Sequence, residues 1–186
     1  MKSFISCVIA IAAVACLTLA QPTKKYPRTQ DNKNAKASET SVTINGKNIS
    51  ISYSAPSVRG RKIFGEGGIV SGDSTYPVWR AGADEATWLH TDANLDLHGL
   101  AVPAGDYSLW VDVGSTPWKL IVNKQVGHWG TEYDKSQDLG RVNMSVTKPG
   151  ASVETYKMTL SQSGGNKGKL QLEWENVVAS VDFTVK

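Results

Sequence analysis

Apolar and polar residues alternate along most of the chain after residue 38, which is the period of β-strands that bury one face. In residues 49–54 two isoleucines and a tyrosine alternate with three serines. Asn45-Gly46, just before them, is a typical two-residue hairpin turn. Residues 120–122 are apolar in succession, which predicts a strand that is covered on both faces.

The strand pattern recurs at short intervals, and no segment between residues 39 and 186 has a helical period. The segments are residues 42–44, 49–53, 88–91, 95–97, 107–113, 120–122, 142–146, 156–160, 170–174 and 177–185. Many short strands joined by turns are typical of sandwiches and barrels. We therefore expect an all-β fold over residues 39–186, a single antiparallel β-sandwich or jelly-roll-like domain of about nine to ten strands.

Residues 1–20 have the pattern of a secretory signal peptide, with an early lysine, an apolar run and small residues before Gln21. The run is shorter than the roughly 20 residues that a spanning helix needs, so we expect cleavage and no membrane span in the mature chain. Both cysteines, Cys7 and Cys16, lie in this segment, which leaves the mature domain without a disulfide. Cys16 follows a poor lipobox, so we do not expect a lipid anchor. The predicted location is periplasmic or extracellular.

Positive charge is concentrated in residues 21–38, which contain five lysines or arginines, one aspartate and two prolines. This composition predicts a disordered basic linker. It could be a solvated spacer, or it could hold the domain peripherally at an anionic envelope surface. Because the net charge of the whole chain is only +3, the remaining domain is slightly negative. It lacks a basic patch with interleaved aromatic residues, so we expect no nucleic-acid binding.

Residues 55–86 interrupt the strand rhythm with a segment rich in glycine, proline and charge, and such long loops are often functional. Arg80 offers a five-donor fork for carboxylate, phosphate or sugar oxygens, but Asp84, Glu85 or Asp138 could instead hold it in an internal ion pair. Gly82 suggests a backbone conformation that a Cβ would forbid. The candidate ligand-binding residues are Arg59, Arg61, Trp79, Arg80, Asp84, Glu85 and Trp129.

Each of these residues also has a structural interpretation. Arg59 and Arg61 could simply be solvated loop charges. Trp79 and Trp129 could flank one cleft as stacking platforms, or they could fill the core as large aromatics do. Trp174 shares a strand face with two leucines and is expected in the core, whereas Trp110 faces either solvent or a second layer.

Four segments, residues 54–65, 78–87, 102–109 and 129–134, resemble the DUF2911 family in the same order. The resemblance extends over roughly residues 38–186. It implies an exported bacterial domain, and it brings no established activity or ligand. Asp84 stands where that family usually has asparagine before the glutamate, so a hydrogen-bonding role is not carried over to this position.

We expect no cofactor, no metal site and no catalytic residue. Asp84 and Glu85 are consecutive, so on a strand they would point to opposite faces and would not act as an acid/base pair with each other. The histidines, His90, His98 and His128, lie in no metal-binding motif.

Three functional interpretations remain open. A non-catalytic domain that binds a small molecule, glycan or peptide through residues 56–85 would have Trp79, Arg80 and Trp129 converging on a cleft. A structural or assembly module of the cell envelope would have Arg80 buried in a salt bridge. A carbohydrate-active hydrolase or lyase would pair Asp84 or Glu85 with a distant carboxylate such as Asp138, at about 5–10 Å. We favour the first interpretation.

Overall fold

The computed structural model describes residues 35–186, and in that range the chain forms thirteen β-strands, two short 3₁₀ helices and no α-helix. The strands are β1 Ala35–Ile44, β2 Lys47–Pro56, β3 Val78–Trp79, β4 Thr87–Thr91, β5 Leu95–Leu97, β6 Leu100–Val102, β7 Gly105–Asp112, β8 Lys119–Asn123, β9 Asp138–Asn143, β10 Ser145–Thr147, β11 Val153–Gly164, β12 Lys167–Glu175 and β13 Val177–Val185. The 3₁₀ helices are Val70–Gly72 and Lys135–Gln137. The expected count of nine to ten strands was too low, because strands of two or three residues are too short to show a periodic pattern.

The strands form two antiparallel sheets that pack face to face as a sandwich, which confirms the predicted fold class. The first sheet has the order β1-β2-β4-β7-β8-β9, with β3 also paired to β7. The second sheet has the order β11-β12-β13-β5-β6, with β10 also paired to β13. In the described part of the chain no helix is long and apolar enough to span a bilayer.

The first hairpin shows how local sequence sets the register. Asn45 and Gly46 both have positive φ, of 52° and 73°, as the predicted two-residue turn requires. β1 then pairs with β2 without interruption from Ile44↔Lys47 to Ala35↔Pro56. Residues 35–38, which the charge pattern assigned to the linker, therefore belong to the sandwich. The predicted signal peptide and the rest of the linker lie outside the described residues.

The apolar positions of the alternating segments face the space between the sheets. Ile49, Ile51 and Tyr53 of the first sheet are at most 4% exposed, as are Leu172 and Trp174 of the second. Burying such side chains stabilises a fold by about 1.5–3 kcal/mol each. Trp174 thus lies in the core, as its strand position predicts.

Residues 142–146 depart from the prediction of one continuous strand. Val142 ends in the first sheet as part of β9, and Val146 lies in the second sheet as part of β10. The chain changes sheets at Met144, which is buried and donates its backbone N–H to the carbonyl of Trp118 at 2.8 Å. All three residues of the short strand β10 are exposed, and Val146, although it lies opposite the buried Ala179, is 42% exposed.

A second, smaller apolar layer covers the outer face of the first sheet. Trp110 is completely buried there, with Val78, Ala86 and Ile121, and Tyr133 packs against them. Leu120 and Val122 belong to the main core, so the strand at residues 120–122 is covered on both faces, as its unbroken apolar run predicts. The layer also settles the position of Trp110, which faces a second layer rather than solvent.

Candidate functional site

Residues 79–87, here called the corner, begin with Trp79, which is a core residue and not a surface platform. It is 3% exposed, and its ring stacks on Trp174 at 5.8 Å with an interplanar angle of 19°. Phe64 and Tyr156 contact it edge-on at 5.6 and 5.2 Å. The expectation that Trp79 faces a cleft was wrong, because the sandwich places this end of β3 between its two sheets.

Arg80 turns outward from the core and holds two segments together. Its guanidinium forms an ion pair with Asp73, and its Nη1 donates to the backbone carbonyl of Asp84 at 3.4 Å. The side chains of Arg80 and Asp73 are only 12% and 21% exposed. The alternative of an internal ion pair therefore describes Arg80, but its acceptor is Asp73 and none of the three carboxylates considered from the sequence.

The corner backbone contains two non-glycine residues in the left-handed region, Ala81 at φ 50° and Asp84 at φ 59°. Such conformations persist when surrounding contacts enforce them. Thr87 supplies one contact, because its hydroxyl donates to the Ala81 carbonyl at 2.8 Å. Gly82 does not have the positive φ that its position suggested. It is required instead by close packing, since a Cβ there would lie 2.9 Å from the carbonyl oxygen of Ser54.

The loop that carries Trp129 is joined to the corner by backbone hydrogen bonds. Gly130 N–H donates to Asp84 O at 2.9 Å, Ala86 N–H donates to His128 O at 3.2 Å, and Glu85 and Trp129 form an antiparallel bridge. A Cβ on Gly130 would overlap the stem of Arg80 and would lie 2.5 Å from Asp84 O. Glycine is therefore needed where the loop passes over the arginine.

Trp129 is the exposed aromatic residue of this assembly. It is 47% exposed, although its backbone is held by the bridge to Glu85 and its N–H donates to Glu132 Oε2 at 3.3 Å. Four of the seven candidate residues, Arg80, Asp84, Glu85 and Trp129, thus come together.

Arg59 and Arg61 lie in an earlier part of the loop, where their described contacts anchor the chain. The backbone N–H of Arg59 donates to Glu154 Oε1 at 2.9 Å. The guanidinium of Arg61 donates to the carbonyls of Ser57 and Val58 at 2.6 and 3.0 Å. The Arg61 side chain therefore stabilises the turn that precedes it in the chain.

The sequence does not predict the polar network that lies beside the corner and is centred on Asp138, although Asp138 itself is a candidate partner of Arg80 there. Asp138 accepts hydrogen bonds from Tyr133 Oη at 2.8 Å, Asn123 Nδ2 at 3.0 Å and Arg141 Nη2 at 2.9 Å. Arg141 also pairs with Asp112 at 3.2 Å. Tyr133, Asp138 and Arg141 are close in sequence but share no motif, and the pairing of β7, β8 and β9 brings Asn123 and Asp112 to them.

The electrostatics of this network favour a structural role. Burial, then the hydrogen bond to Asp138 and the charge of that carboxylate, raise the pKa of Tyr133, so its phenol remains a donor. His128 stacks on Trp110 at 5.9 Å, and burial lowers the pKa of its imidazole although the charge of Glu132 and the backbone at Val126 oppose the shift. A carboxylate that accepts three side-chain donors, as Asp138 does, is poorly available as a catalytic base.

A family model described as "Protein of unknown function (DUF2911)" matches residues 35–183. The chain belongs to the DUF2911 family. The resemblance drawn from four sequence segments is thereby confirmed. Three of those segments, residues 54–65, 78–87 and 129–134, meet at the corner, since Ala83 N–H donates to the carbonyl of Ser54 at 3.2 Å and Gly130 N–H to that of Asp84 at 2.9 Å. Neither the curated proteins nor the solved structures contain a match to the chain.

The corner of this DUF2911 domain, residues 79–87, and the loop paired with it contain one strongly exposed aromatic ring and two partly buried carboxylates. In the described residues 35–186, no three histidine, cysteine, aspartate or glutamate side chains are grouped so that they could hold a metal ion. The loop paired with the corner exposes the ring of Trp129, and Asp84 and Glu85 of the corner, whose backbones pair with that loop, are partly buried.

Proposed function

We propose that this DUF2911 domain is an exported, non-catalytic binding module whose corner takes a glycan against Trp129. The observation that carries the proposal is the combination of exposure and order at Trp129. Its side chain is 47% exposed, yet its backbone is fixed by the bridge to Glu85. The ring therefore contributes little to the core, and it could offer a ligand a large apolar face at a low entropic cost.

The chemistry around the ring fits a hydroxylated ring better than a purely apolar ligand. The C–H-rich face of a pyranose can pack on an indole ring, while its hydroxyl groups need hydrogen-bond acceptors. Glu132 Oε2 accepts the backbone N–H of Trp129, and the backbones of Asp84 and Glu85 are paired with the loop that carries the ring, so three acidic residues belong to the same surface. An ionised carboxylate accepts hydrogen bonds in several directions, so it can bind hydroxyl groups without being consumed in a reaction.

Arg80 supports this surface and need not contact the ligand. Its pairing with Asp73 and its contact with Asp84 O hold the backbone on which Trp129 is mounted. The same ion pair favours the second candidate function, a structural or assembly module of the envelope. That alternative explains Arg80, but it gives no reason for an exposed tryptophan on a loop whose backbone is held by hydrogen bonds.

Export belongs to the proposal as well. It rests on the signal-peptide pattern of residues 1–20, and the basic residues of the adjoining linker are suited to an anionic surface. A glycan-binding role would place the domain near envelope or extracellular polysaccharide.

The test is a binding titration of the full chain with muropeptides, chito-oligosaccharides and xylo-oligosaccharides, followed by calorimetry and by tryptophan fluorescence. We expect one of these glycans to bind and Trp129→Ala to weaken its binding at least tenfold, which corresponds to about 1.4 kcal/mol. Val146→Ala is the control, because it shortens an apolar side chain of similar exposure on the other sheet, 42% against 47%. Equal affinity of Trp129→Ala and wild type, or no binding of any glycan, would refute the proposal.

A further inference from the structure

We infer that the outer face of the second sheet carries a separate groove that binds a carboxylate-bearing sugar. The groove has a volume of about 490 Å³, which lies within the roughly 300–1,000 Å³ typical of small-molecule sites. It is independent of the corner, which lies on the first sheet. The residues that matter are Asp96, His98, Ser163, Lys167, Lys169 and Asp182.

The strand register builds a polar row across the groove. Lys167 of β12 pairs with Thr184 of β13, and Thr184 pairs with Asp96 of β5. Residues directly opposite each other on paired strands have Cβ atoms about 4.5–5.5 Å apart. A cation, a hydroxyl group and a carboxylate therefore stand in line, and the neighbouring pair Lys169↔Asp182 adds a second row.

A gap in the sheet forms one side of the groove. On the side away from β12, β13 pairs with β10 at residues 178–180 and with β5 at residues 184–185, and among residues 35–186 no strand pairs with residues 181–183 on that side. In a β-strand, successive residues direct their N–H and C=O groups to alternate edges. At least one of these three residues therefore directs its backbone donor and acceptor toward the gap.

The charges of the groove leave one cation available. Lys169 Nζ lies 3.6 Å from Asp182, and Lys186 Nζ lies 3.1 Å from Asp96. Among the described residues Lys167 forms no ion pair, and it is exposed beside Ser163. A single ammonium of this kind attracts a monoanion.

The remaining groups indicate that the anion carries hydroxyl groups. Asp96 has a lowered pKa, first because it accepts the backbone N–H of Gly99 and then because of Lys186, so it remains an ionised acceptor. Asp182 is a second acceptor on the groove, and the hydroxyl of Thr184 can donate or accept. A sugar acid matches this set, with its carboxylate on Lys167 and its hydroxyl groups on the aspartates, whereas a simple inorganic anion would leave the acceptors unused.

The test titrates the full chain with trigalacturonate, with maltotriose as the uncharged comparator and with inorganic phosphate as the charge-only comparator. Binding is followed by ¹H–¹⁵N chemical shifts. We expect saturable shifts of the amides of residues 181–183 with trigalacturonate alone, and at least a tenfold loss of affinity in Lys167→Ala. Lys157→Ala is the matched control, since Lys157 is an exposed lysine on β11 of the same sheet, paired with Glu173 at 3.8 Å.

The outcomes separate the possibilities. Failure of trigalacturonate to saturate these shifts, or an equal effect of Lys157→Ala, would overturn the groove as a site. Equal binding of phosphate would overturn the sugar class, and equal binding of maltotriose would overturn the role of the carboxylate. Trp129→Ala should leave the trigalacturonate affinity unchanged. The groove and the proposed glycan surface at Trp129 can therefore be refuted independently of each other.

Discussion

Removal of the Arg80 side chain is the perturbation that most directly tests the structural account of the corner. Arg80→Ala deletes the ion pair with Asp73 and the hydrogen bond to Asp84 O. It also removes the side-chain stem of Arg80 against which the backbone of Gly130 packs. The carboxylate of Asp73, 21% exposed, is then left without its cation. The substitution therefore removes the link between the segment at Asp73 and the loop that carries Trp129.

The expected magnitude follows from the burial of the pair. Breaking a fully buried pair costs about 3–5 kcal/mol, and an exposed pair contributes about 0–1 kcal/mol. With side chains that are 12% and 21% exposed, Arg80 and Asp73 lie nearer the buried limit. We expect Arg80→Ala to lower the free energy of unfolding by about 2–3 kcal/mol. For a domain of this size that corresponds to a fall in Tm of about 5–10 °C.

The assay is urea denaturation of wild type, Arg80→Ala, Asp73→Asn and the double variant. We expect a coupling free energy of about 1–2 kcal/mol between the two positions, because each single change removes the same pair. Lys157→Ala is the control and should change stability by less than about 0.5 kcal/mol, because its pair with Glu173 is a surface pair. A near-zero coupling energy, or a neutral Arg80→Ala, would show that the pair does not hold the corner.

Three further predictions concern the surroundings of the corner and the first sheet. Gly130→Ala should lower stability by about 1–3 kcal/mol, because its Cβ would overlap the arginine stem, whereas Gly150→Ala should be neutral since nothing lies within 4 Å of a Cβ there. Equal urea midpoints of the two variants would contradict this. Tyr133→Phe should cost about 1–3 kcal/mol in the same assay, because the carboxylate of Asp138 loses a partly buried donor. An unchanged midpoint would show that the hydroxyl is dispensable. Burial makes the largest single contribution to the pKa of His90 and lowers it, but the hydrogen bonds to the carboxylates of Asp106 and Asp92 together outweigh burial and raise the pKa above 6.5. The stabilisation by protonated His90 is therefore complete below pH 6.5 and is lost as the pH rises through the higher pKa of the folded state. The difference in free energy of unfolding between wild type and His90→Gln should fall over that pH range. A constant difference from about pH 5 to 9 would rule this out.

The local features of the fold could be predicted from the sequence because they depend on neighbouring residues. Alternation places Ile49 and Ile51 on one face, since the side-chain period of a strand is two. Asn45-Gly46 defines its hairpin because both residues tolerate positive φ. The unbroken apolar run at residues 120–122 predicts a strand covered on both sides, and the structure has one.

The candidate site was only partly predictable. Arg80 and Trp129 were identified as special because neither fits a strand pattern. Their neighbours could not be identified, since Asp73 meets Arg80 only after the intervening loop has folded back. Trp79 illustrates the same limit, because the sequence marks it as unusual without saying whether its ring is covered by Trp174 or by solvent.

The sequence alone determined the β-class, the inward face of each long strand, the hairpin at residues 45–46 and the family, because these are recorded in local periodicity and in segments read along the chain. Only the tertiary structure decided that Trp79 is core, that Asp73 is the partner of Arg80, and that Lys167, Thr184 and Asp96 form one row. Those arrangements depend on which strands become neighbours. That choice is made by the burial of both sheets against a common core, and no single segment specifies it.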